Sequence, residues 1–278
     1  QTTKYSYGFS DHIYPENTSL YPTGKEVINY FNSYLDKHDL RKYIQFNSEV
    51  KDINWNKSKW EVKYKKDNKE HIIISEYLIV ASGIYTTSFL PKIEGINNTD
   101  IDIYHSSDFS HKKMKDMENK NIIIVGNGPS GVDLATNAVK ANAKNVVVFY
   151  RSPRWIFLRE RFGVSFHFFI NRIFLLLARI VPKKIFLITI YVLYYTCFHL
   201  VYPKLKVELP SDYITRKNLT LNECFFDYIK DKKLFYIKDE IIEIKKNFLC
   251  TKSEKSYKTD MIIFCTGYNE EIAFLKEM

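Results

Sequence analysis

The sequence predicts an α/β fold, and three features in the middle of the chain support that prediction. The apolar run Ile122–Val125 indicates a buried strand, and Val146–Tyr150 indicates a second one. Between them, glycines in the spacing G-x-G-x-x-G cover Gly126–Gly131, and a helical pattern continues from Pro129 to about Ala141. A strand, a glycine turn, a helix and a strand in this order are typical of a dinucleotide-binding unit of the Rossmann type.

Shorter elements are predicted on both sides of this unit. Thr23 and Glu26 have the spacing of a capping box, and apolar residues at helical spacing follow to about Lys37. The charged stretch 65–69 predicts a hairpin turn. The predicted strands before the unit are Tyr43–Phe46, Trp60–Tyr64, His71–Ile74 and Tyr77–Ala81. Those after it are Leu234–Ile237, Glu240–Ile244 and Met261–Cys265.

Each glycine of the turn meets a distinct steric requirement. Gly126 permits the tight turn off the strand, Gly128 lets the backbone approach a pyrophosphate, and Gly131 lets the helix pack against the strand. Pro129 and Ser130 stand at the start of the helix, where free N–H groups and the positive end of the helix dipole can face phosphates. We therefore predict that these five residues bind a dinucleotide; the alternative is a glycine turn used only for packing.

The residues after the second strand predict which nicotinamide cofactor binds. An acidic residue there would bind the ribose hydroxyls of NAD, whereas Arg accommodates the additional phosphate of NADP. The stretch 150–154 contains Arg151, Ser152 and Arg154 and no acid. A guanidinium group binds phosphate through a planar fork. We therefore predict NADPH, with its 2′-phosphate at Arg151 and Ser152; the alternative for Arg151 is an ordinary surface charge.

Charge and cysteine content exclude several classes of function. The net charge is +9, but the basic residues are spread along the chain without a block interleaved with aromatic residues, so no nucleic-acid partner is predicted. The four cysteines form no C-x-x-C pair and share no metal-ligand spacing, so neither a disulfide framework nor a metal site is predicted. The expected location is intracellular, either cytoplasmic or peripheral to an intracellular membrane.

A long apolar insertion is predicted at about 156–207. Within it, residues 185–202 contain no acid, Lys or Arg, which is the composition of a membrane-spanning helix. Lysines lie on both sides of this stretch, and the preceding run 166–181, interrupted by Arg172 and Arg179, is typical of an amphipathic helix. Three alternatives stay open for 166–202: contact with a membrane surface, which we favour, a buried helical subdomain, and a membrane span.

Short segments along almost the whole chain carry a resemblance to a known family. They are Phe9–Asp11, Tyr21–Pro22, Tyr43–Val50, Val80–Gly83, Pro91–Gly95, His105–Phe109, Arg151–Trp155 and Ile262–Tyr268. In this order and spacing they resemble class B flavin-dependent monooxygenases, meaning the flavin-containing monooxygenases and their Baeyer–Villiger relatives. The resemblance implies two Rossmann-like domains, with an NADPH domain inserted into an FAD domain.

The resemblance also implies domain boundaries and flavin-site residues. Residues 1–115 would form a partial FAD domain, 116–256 the NADPH domain with its apolar insertion, and 257–278 the truncated return to the FAD domain. Two "ATG"-type segments mark the crossings, where backbone passes close to cofactor. Their residues here are Ala81, Ser82, Gly83, Thr266 and Gly267. Gln1 stands where the family has an Asn close to the flavin.

The chemistry implied by the resemblance is carried by cofactors. NADPH would reduce FAD, and a C4a-(hydro)peroxyflavin formed with O2 would transfer one oxygen atom to a heteroatom or carbonyl of a small substrate. No side chain needs to act as a nucleophile, and the sequence has no Ser/His/Asp or Cys/His arrangement. No catalytic residue is therefore predicted, and His105 is expected to have a structural role near the domain junction.

Some family features are absent, so alternatives stay open. No G-x-G occurs before Gly126, and Thr99 and Ile101 replace the Phe and Gly that usually precede the histidine of a family motif. The chain is therefore expected to be a fragment. A disulfide reductase would need a C-x-x-C pair, whereas a degenerate, non-catalytic nucleotide-binding protein of the same fold remains an alternative. The substrate and the oligomeric state are not predicted.

Overall fold

The computed structural model divides the chain into two compact units. The first comprises Gln1–Thr86 and Glu270–Met278, and the second comprises Thr87–Asn269. The residues described are 2–109, 113–161, 164–165, 179–211 and 219–269.

The long helix of the first unit holds an aromatic cluster. The helices of this unit are α1 (Lys4–Tyr7) and α2 (Gly24–Lys37). The predicted capping box is confirmed, since the N–H of Thr23 donates to Glu26 at 2.7 Å and the N–H of Glu26 donates to the Thr23 hydroxyl at 3.3 Å. Tyr30 is buried and stacks on Tyr14 with ring centroids 3.8 Å apart. The capping box explains why α2 begins at Gly24, and the burial of Tyr30 stabilises the helix.

Three antiparallel strands complete the described part of the first unit. They are β1 (Ser48–Asn56), β2 (Lys59–Lys66) and β3 (Lys69–Ser75). Asp67 and Asn68 both have positive φ and connect β2 to β3, so the predicted hairpin turn at 65–69 is confirmed. The predicted strands at 60–64 and 71–74 lie within β2 and β3.

Two strand predictions for the first unit are wrong. Tyr43 ends a 3₁₀ turn and residues 44–47 do not form a strand. The segment Tyr77–Ala81 pairs with no strand among the described residues, and its Ile79 side chain is 89% exposed. Conversely, the pattern does not predict β1, because the consecutive polar residues Lys51 and Asp52 put Val50 out of phase with Ile53, where the pairing has a register shift.

A parallel five-stranded sheet forms the centre of the second unit. Its strands are β5 (Asp102–His105), β6 (Asn121–Val125), β7 (Asn145–Tyr150), β12 (Phe235–Lys238) and β16 (Met261–Phe264). They lie in the order β12-β7-β6-β16-β5, and all neighbouring pairs are parallel. The predicted strands at 122–125, 146–150, 234–237 and 261–265 are therefore confirmed, with ends that differ by one residue.

Both faces of this sheet are covered, which explains why β6 is apolar at every central position. Helix α3 (Pro129–Lys140) packs on one face, where Ile122 and Ile124 contribute to the same core as Val132. A three-stranded antiparallel sheet packs on the other, where Ile123 shares a second core with Leu249. Its strands are β13 (Ile241–Lys245), β14 (Phe248–Thr251) and β15 (Ser256–Lys258), and β13 confirms the strand predicted at 240–244.

Shorter elements surround the sheet. One pair is parallel and consists of β8 (Trp155–Phe157) and β11 (Leu219–Leu221). Two pairs are antiparallel: β9 (Glu160–Arg161) with β10 (Val164–Ser165), and β4 (Thr87–Ser88) with β17 (Tyr268–Asn269). The helices here are α4 (Lys183–Val201) and α5 (Phe225–Lys230).

The predicted domain boundaries at 115 and 256 both lie inside the second unit. The reason is pairing: β16 bonds to β5 on one side and to β6 on the other, with Met261 opposite both Asp102 and Ile122. Strands from three predicted segments thus share one sheet. Which unit binds which cofactor stays a prediction at this point.

Helix α4 lies within the predicted apolar insertion. Tyr194 and Phe198 are buried against Trp155 and Phe226, with ring centroids 4.8 and 5.0 Å apart respectively. The opposite face exposes apolar side chains, among them Ile185, Ile188, Val192, Leu193 and Leu200. In the described parts of the chain, α4 is the one helix long and apolar enough to cross a membrane, by length and composition alone. Residues 166–178 of the predicted amphipathic helix lie outside the described residues.

Candidate functional site

Two of the three glycines in the turn are explained by packing inside the protein. Gly126 has a φ of +108°, and a Cβ there would lie 2.6 Å from the carbonyl oxygen of Cys265. At Gly131 a Cβ would lie 2.0 Å from the carbonyl oxygen of Gly126. Any side chain at either position would therefore push helix α3 away from the sheet.

Packing among the described residues does not explain the middle glycine. Gly128 is the N-cap of α3 with an ordinary negative φ, and a Cβ there would meet no atom of those residues within 4 Å. It has no side chain to cap the helix, and Pro129 and Ser130 beside it are exposed. The first turn of α3 therefore presents its N–H groups and positive dipole end to open space, which suits an anion that approaches the backbone closely.

Arg151 and Ser152 lie beside this turn, as the sequence predicts. The N–H of Gly126 donates to the carbonyl oxygen of Phe149 at 2.8 Å, so the end of β7 adjoins the start of the turn. Arg151 and Ser152 follow directly and are both exposed. Two donor groups suited to phosphate thus stand at the carboxyl edge of the sheet next to the helix N-terminus.

A buried amide between two of the glycines joins these parts, and no residue pattern in the sequence predicts it. Asn127 is only 6% exposed, and its Nδ2 donates to the carbonyl oxygen of Ser152 at 2.8 Å and to the hydroxyl of Tyr236 at 2.7 Å. The fingerprint places no requirement on this position, so no pattern in the sequence singles Asn127 out.

Two stacked tyrosines lie beneath the same region. The rings of Tyr150 and Tyr236 are parallel within 15°, with centroids 3.9 Å apart. Burial raises the pKa of Tyr150 to about 12 and also raises that of Tyr236 above its ordinary value. Both phenols therefore stay neutral at physiological pH and add no negative charge to this region.

The residues after β16 form a second feature at the carboxyl edge of the sheet. Gly267 has a φ of +87° with open space where a Cβ would point, and its carbonyl oxygen accepts the N–H of Phe89 at 3.0 Å. The hydroxyl of Thr266 donates to the carbonyl oxygen of Phe89. The preceding Cys265 packs against the main core, and burial raises the pKa of its thiol to about 12.

The other predicted flavin-site residues lie in the first unit. Ala81, Ser82 and Gly83 are exposed, and Gly83 has a φ of +83° with no atom from the described parts of the chain within 4 Å of the position that a Cβ would occupy. The backbone at Gly83 could therefore approach a ligand without obstruction. Gln1 lies outside the described residues.

His105 is buried at the end of β5. Its Nδ1 accepts the N–H of Ser107 at 3.2 Å, which places the proton of the neutral ring on Nε2. The ring meets Tyr268 edge-on, with centroids 5.1 Å apart. These contacts cap the 3₁₀ turn Ser106–Asp108; the predicted structural role of His105 remains a prediction.

Comparison with known proteins shows similarity along the chain. The family of flavin-binding monooxygenase-like proteins matches residues 1–278. Flavin-containing monooxygenase 1 of Homo sapiens is 25% identical over 280 residues, covering 97% of this chain and 51% of the human protein. Cyclohexanone 1,2-monooxygenase of Acinetobacter sp is 33% identical over 137 residues, covering 49% of this chain and 24% of that enzyme.

A solved structure shows that the fold is shared. OTEMO in complex with FAD and NADP matches 90% of this chain and 58% of its own, with a TM-score of 0.66 and 20% identity. The predicted α/β fold with Rossmann-type architecture is therefore confirmed. The chain spans between 28% and 54% of the length of the first curated relatives.

The contrast among the glycines leads to a testable prediction. Gly128→Ala should leave the free energy of unfolding nearly unchanged, because its Cβ meets open space, but should weaken NADPH binding by roughly 1–3 kcal/mol through overlap with the ligand. Gly131→Ala should instead lower the free energy of unfolding by roughly 1–3 kcal/mol, because its Cβ overlaps the Gly126 carbonyl. Denaturant melts and calorimetric titration of both variants distinguish the two effects. Unchanged NADPH binding by Gly128→Ala would contradict a ligand role for Gly128, and equal losses of stability in both variants would contradict the packing contrast.

Proposed function

Since the chain belongs to the flavin-binding monooxygenase-like family, we propose that it carries the NADPH site and part of the FAD site of an oxidoreductase. The proposed enzyme inserts one atom of O2 into a small organic substrate. The observation that carries this proposal is the open backbone at Gly128 beside Arg151 and Ser152. When bound, the cofactors supply the hydride and activate O2, while the protein binds and orients them.

The proposed NADPH site uses three groups of residues in distinct ways. The N–H groups at the start of α3, around Pro129 and Ser130, bind the pyrophosphate. Gly128 gives it room, and Arg151 with Ser152 binds the 2′-phosphate. The exposed guanidinium and hydroxyl support this assignment because both remain accessible to a ligand.

For FAD, we propose that Ala81–Gly83 and Thr266–Gly267 contribute backbone contacts. Both glycines adopt positive φ with open space around the position of a Cβ, as a backbone in contact with a cofactor requires. The sequence contains one G-x-G-x-x-G, which we assign to NADPH. We propose the corresponding domain assignment: residues 1–115 and 257–278 belong to the FAD domain, and residues 116–256 hold the NADPH site.

A non-catalytic nucleotide-binding protein is the second candidate. The observation that favours it is that these 278 residues contain a single G-x-G-x-x-G fingerprint. For the proposed enzyme, the relatives suggest two classes of substrate, because they include a trimethylamine monooxygenase and a cyclohexanone 1,2-monooxygenase. Oxygenation of nitrogen or sulfur and Baeyer–Villiger oxidation of ketones are both compatible with the proposal.

We further propose that α4 contacts the surface of an intracellular membrane. Its exposed apolar side chains lie on the face opposite the Tyr194–Phe198 anchor, and Lys183 and Lys184 are exposed at its start. Apolar insertion combined with flanking lysines suits a membrane with anionic headgroups.

Cofactor selection tests the proposed NADPH site. Arg151→Ala should weaken NADPH binding roughly tenfold to a hundredfold, because a charge-assisted hydrogen bond contributes about 1.5–3 kcal/mol, and should leave NADH binding unchanged. Calorimetric titration with both nucleotides measures this. The control Lys144→Ala removes an exposed cation just before β7, at the opposite edge of the sheet, and should change neither affinity. Equal affinity of the wild type for NADPH and NADH would refute the proposed site.

Flavin reduction separates the two candidate functions. The full gene product, loaded with FAD and kept free of oxygen, should lose its oxidised-flavin absorbance when NADPH is added, because hydride transfer needs no substrate. When ¹⁸O2 is then admitted together with an amine, a sulfide or a ketone, ¹⁸O in the product identifies the substrate class. Gly128→Ala is the control and should need more NADPH for the same reduction. Nucleotide binding without any flavin reduction would establish the non-catalytic alternative.

Sedimentation with lipid vesicles tests the membrane contact. The chain should sediment with vesicles of anionic phospholipid, and Val192→Asp should reduce the bound fraction severalfold, since burying a charge in the acyl region is costly. Ile242→Asp is a matched control, because Ile242 on β13 is 52% exposed and Val192 is 54% exposed. Washing the vesicles with salt or carbonate then shows how deeply α4 enters the bilayer. Release of the chain by salt alone would exclude a membrane-spanning helix. Equal binding by both variants would show that α4 is not the contact.

A further inference from the structure

We infer that Asn127 is a positioning residue that determines the preference for NADPH over NADH. It does so by holding the 2′-phosphate segment against the glycine turn. The inference rests on the proposed function, because it concerns how the same site selects its cofactor.

The side chain of Asn127 donates two hydrogen bonds to two different segments of the chain. A carboxamide NH2 has two donor protons, and here they bond to different neighbours: the Ser152 carbonyl oxygen at 2.8 Å and the Tyr236 hydroxyl oxygen at 2.7 Å. The glycine turn after β6 is thereby joined to the segment after β7 and to β12. Because Asn127 is 6% exposed, water competes little for these bonds.

Ser152 is held through its backbone and keeps its side chain accessible. Its carbonyl oxygen is held by Asn127, while Ser152 and Arg151 both remain exposed to solvent. The bond therefore fixes the backbone of the segment without using the groups that would bind phosphate. On the inner side, Tyr150 is 5% exposed and stacks on Tyr236, so the segment starts from a rigid base.

The segment that Asn127 holds is the part of the proposed site that distinguishes NADPH from NADH. NADPH and NADH share the pyrophosphate, which the proposed site binds at Gly128 and the start of α3. They differ in the 2′-phosphate, which the proposed site binds at Arg151 and Ser152. A change that loosens only the latter segment should therefore weaken NADPH and leave NADH almost unaffected, because fixing a mobile segment on binding costs conformational entropy.

Three variants of the 278-residue chain test the inference by calorimetric titration with both nucleotides. Asn127→Ala should reduce the ratio of NADH to NADPH dissociation constants about tenfold, the equivalent of one buried hydrogen bond. Asn127→Asp keeps the shape and can accept the Tyr236 hydroxyl proton, but it cannot donate to Ser152 and should show at least the same loss. Tyr236→Phe keeps both the stack and the Ser152 bond and should retain most of the preference.

Asn222→Ala is the matched control for general destabilisation. Asn222 is 5% exposed and its amide bonds to Asp133 at 3.0 Å and Thr136 at 3.2 Å, so it also joins α3 to a neighbouring segment. No hydrogen bond joins its side chain to Ser152 among the described residues. The Asn222→Ala substitution should lower the melting temperature and leave the ratio of NADH to NADPH dissociation constants at the wild-type value.

The outcomes separate the inference from the proposal on which it rests. A wild type that prefers NADPH, with both Asn127 variants keeping that preference, overturns the inference alone. An equal weakening of both nucleotides overturns it too, because Asn127 would then support only the glycine turn. Failure of both Asn127 variants to fold, seen by circular dichroism, would make it a stability residue. A wild type without preference for NADPH refutes the proposed function as well.

Discussion

The close approach of helix α3 to the sheet is the constraint on which the rest of the second unit depends. A Cβ on Gly131 would overlap the carbonyl oxygen of Gly126, and a Cβ on Gly126 would overlap the carbonyl oxygen of Cys265, which directly follows the neighbouring strand β16. With no side chain in between, the helix can start directly at the strand end. Every other element of the candidate site is positioned relative to that start, because the helix dipole and free N–H groups have a fixed location there.

Parallel pairing then brings distant parts of the chain to the same place. The strands β6, β7, β12 and β16 point the same way, so their carboxyl ends share one edge of the sheet. The glycine turn, Arg151 and Gly267 follow three of those ends. The fourth strand contributes Tyr236, whose hydroxyl reaches Asn127 across the ends of β6 and β7. A ligand site at this edge is a general property of open parallel sheets, and here its parts are side chains far apart in sequence.

The sequence predicts those features that local sterics determine. Glycine spacing reveals the turn because Gly126 and Gly131 tolerate no side chain, and a fully apolar strand reveals burial on both faces. Features that depend on distant partners escape this reasoning. Asn127 matters through bonds to residues 25 and 109 positions away, which no local pattern encodes. Likewise, the apolar segment Tyr77–Ala81 has strand composition, but pairing needs a partner, and composition does not supply one.

The raised thiol pKa of Cys265 has a consequence for chemical durability. At physiological pH the thiol remains protonated, whereas the thiolate is the form that reacts readily with peroxides and disulfides. The Cβ atom of Cys265 lies beside the two glycines that allow α3 to approach the sheet, 3.6 Å from the position of a Cβ at Gly126 and 3.4 Å from that of a Cβ at Gly131. A cysteine whose surroundings favour the less reactive thiol form therefore stands where the helix meets the sheet.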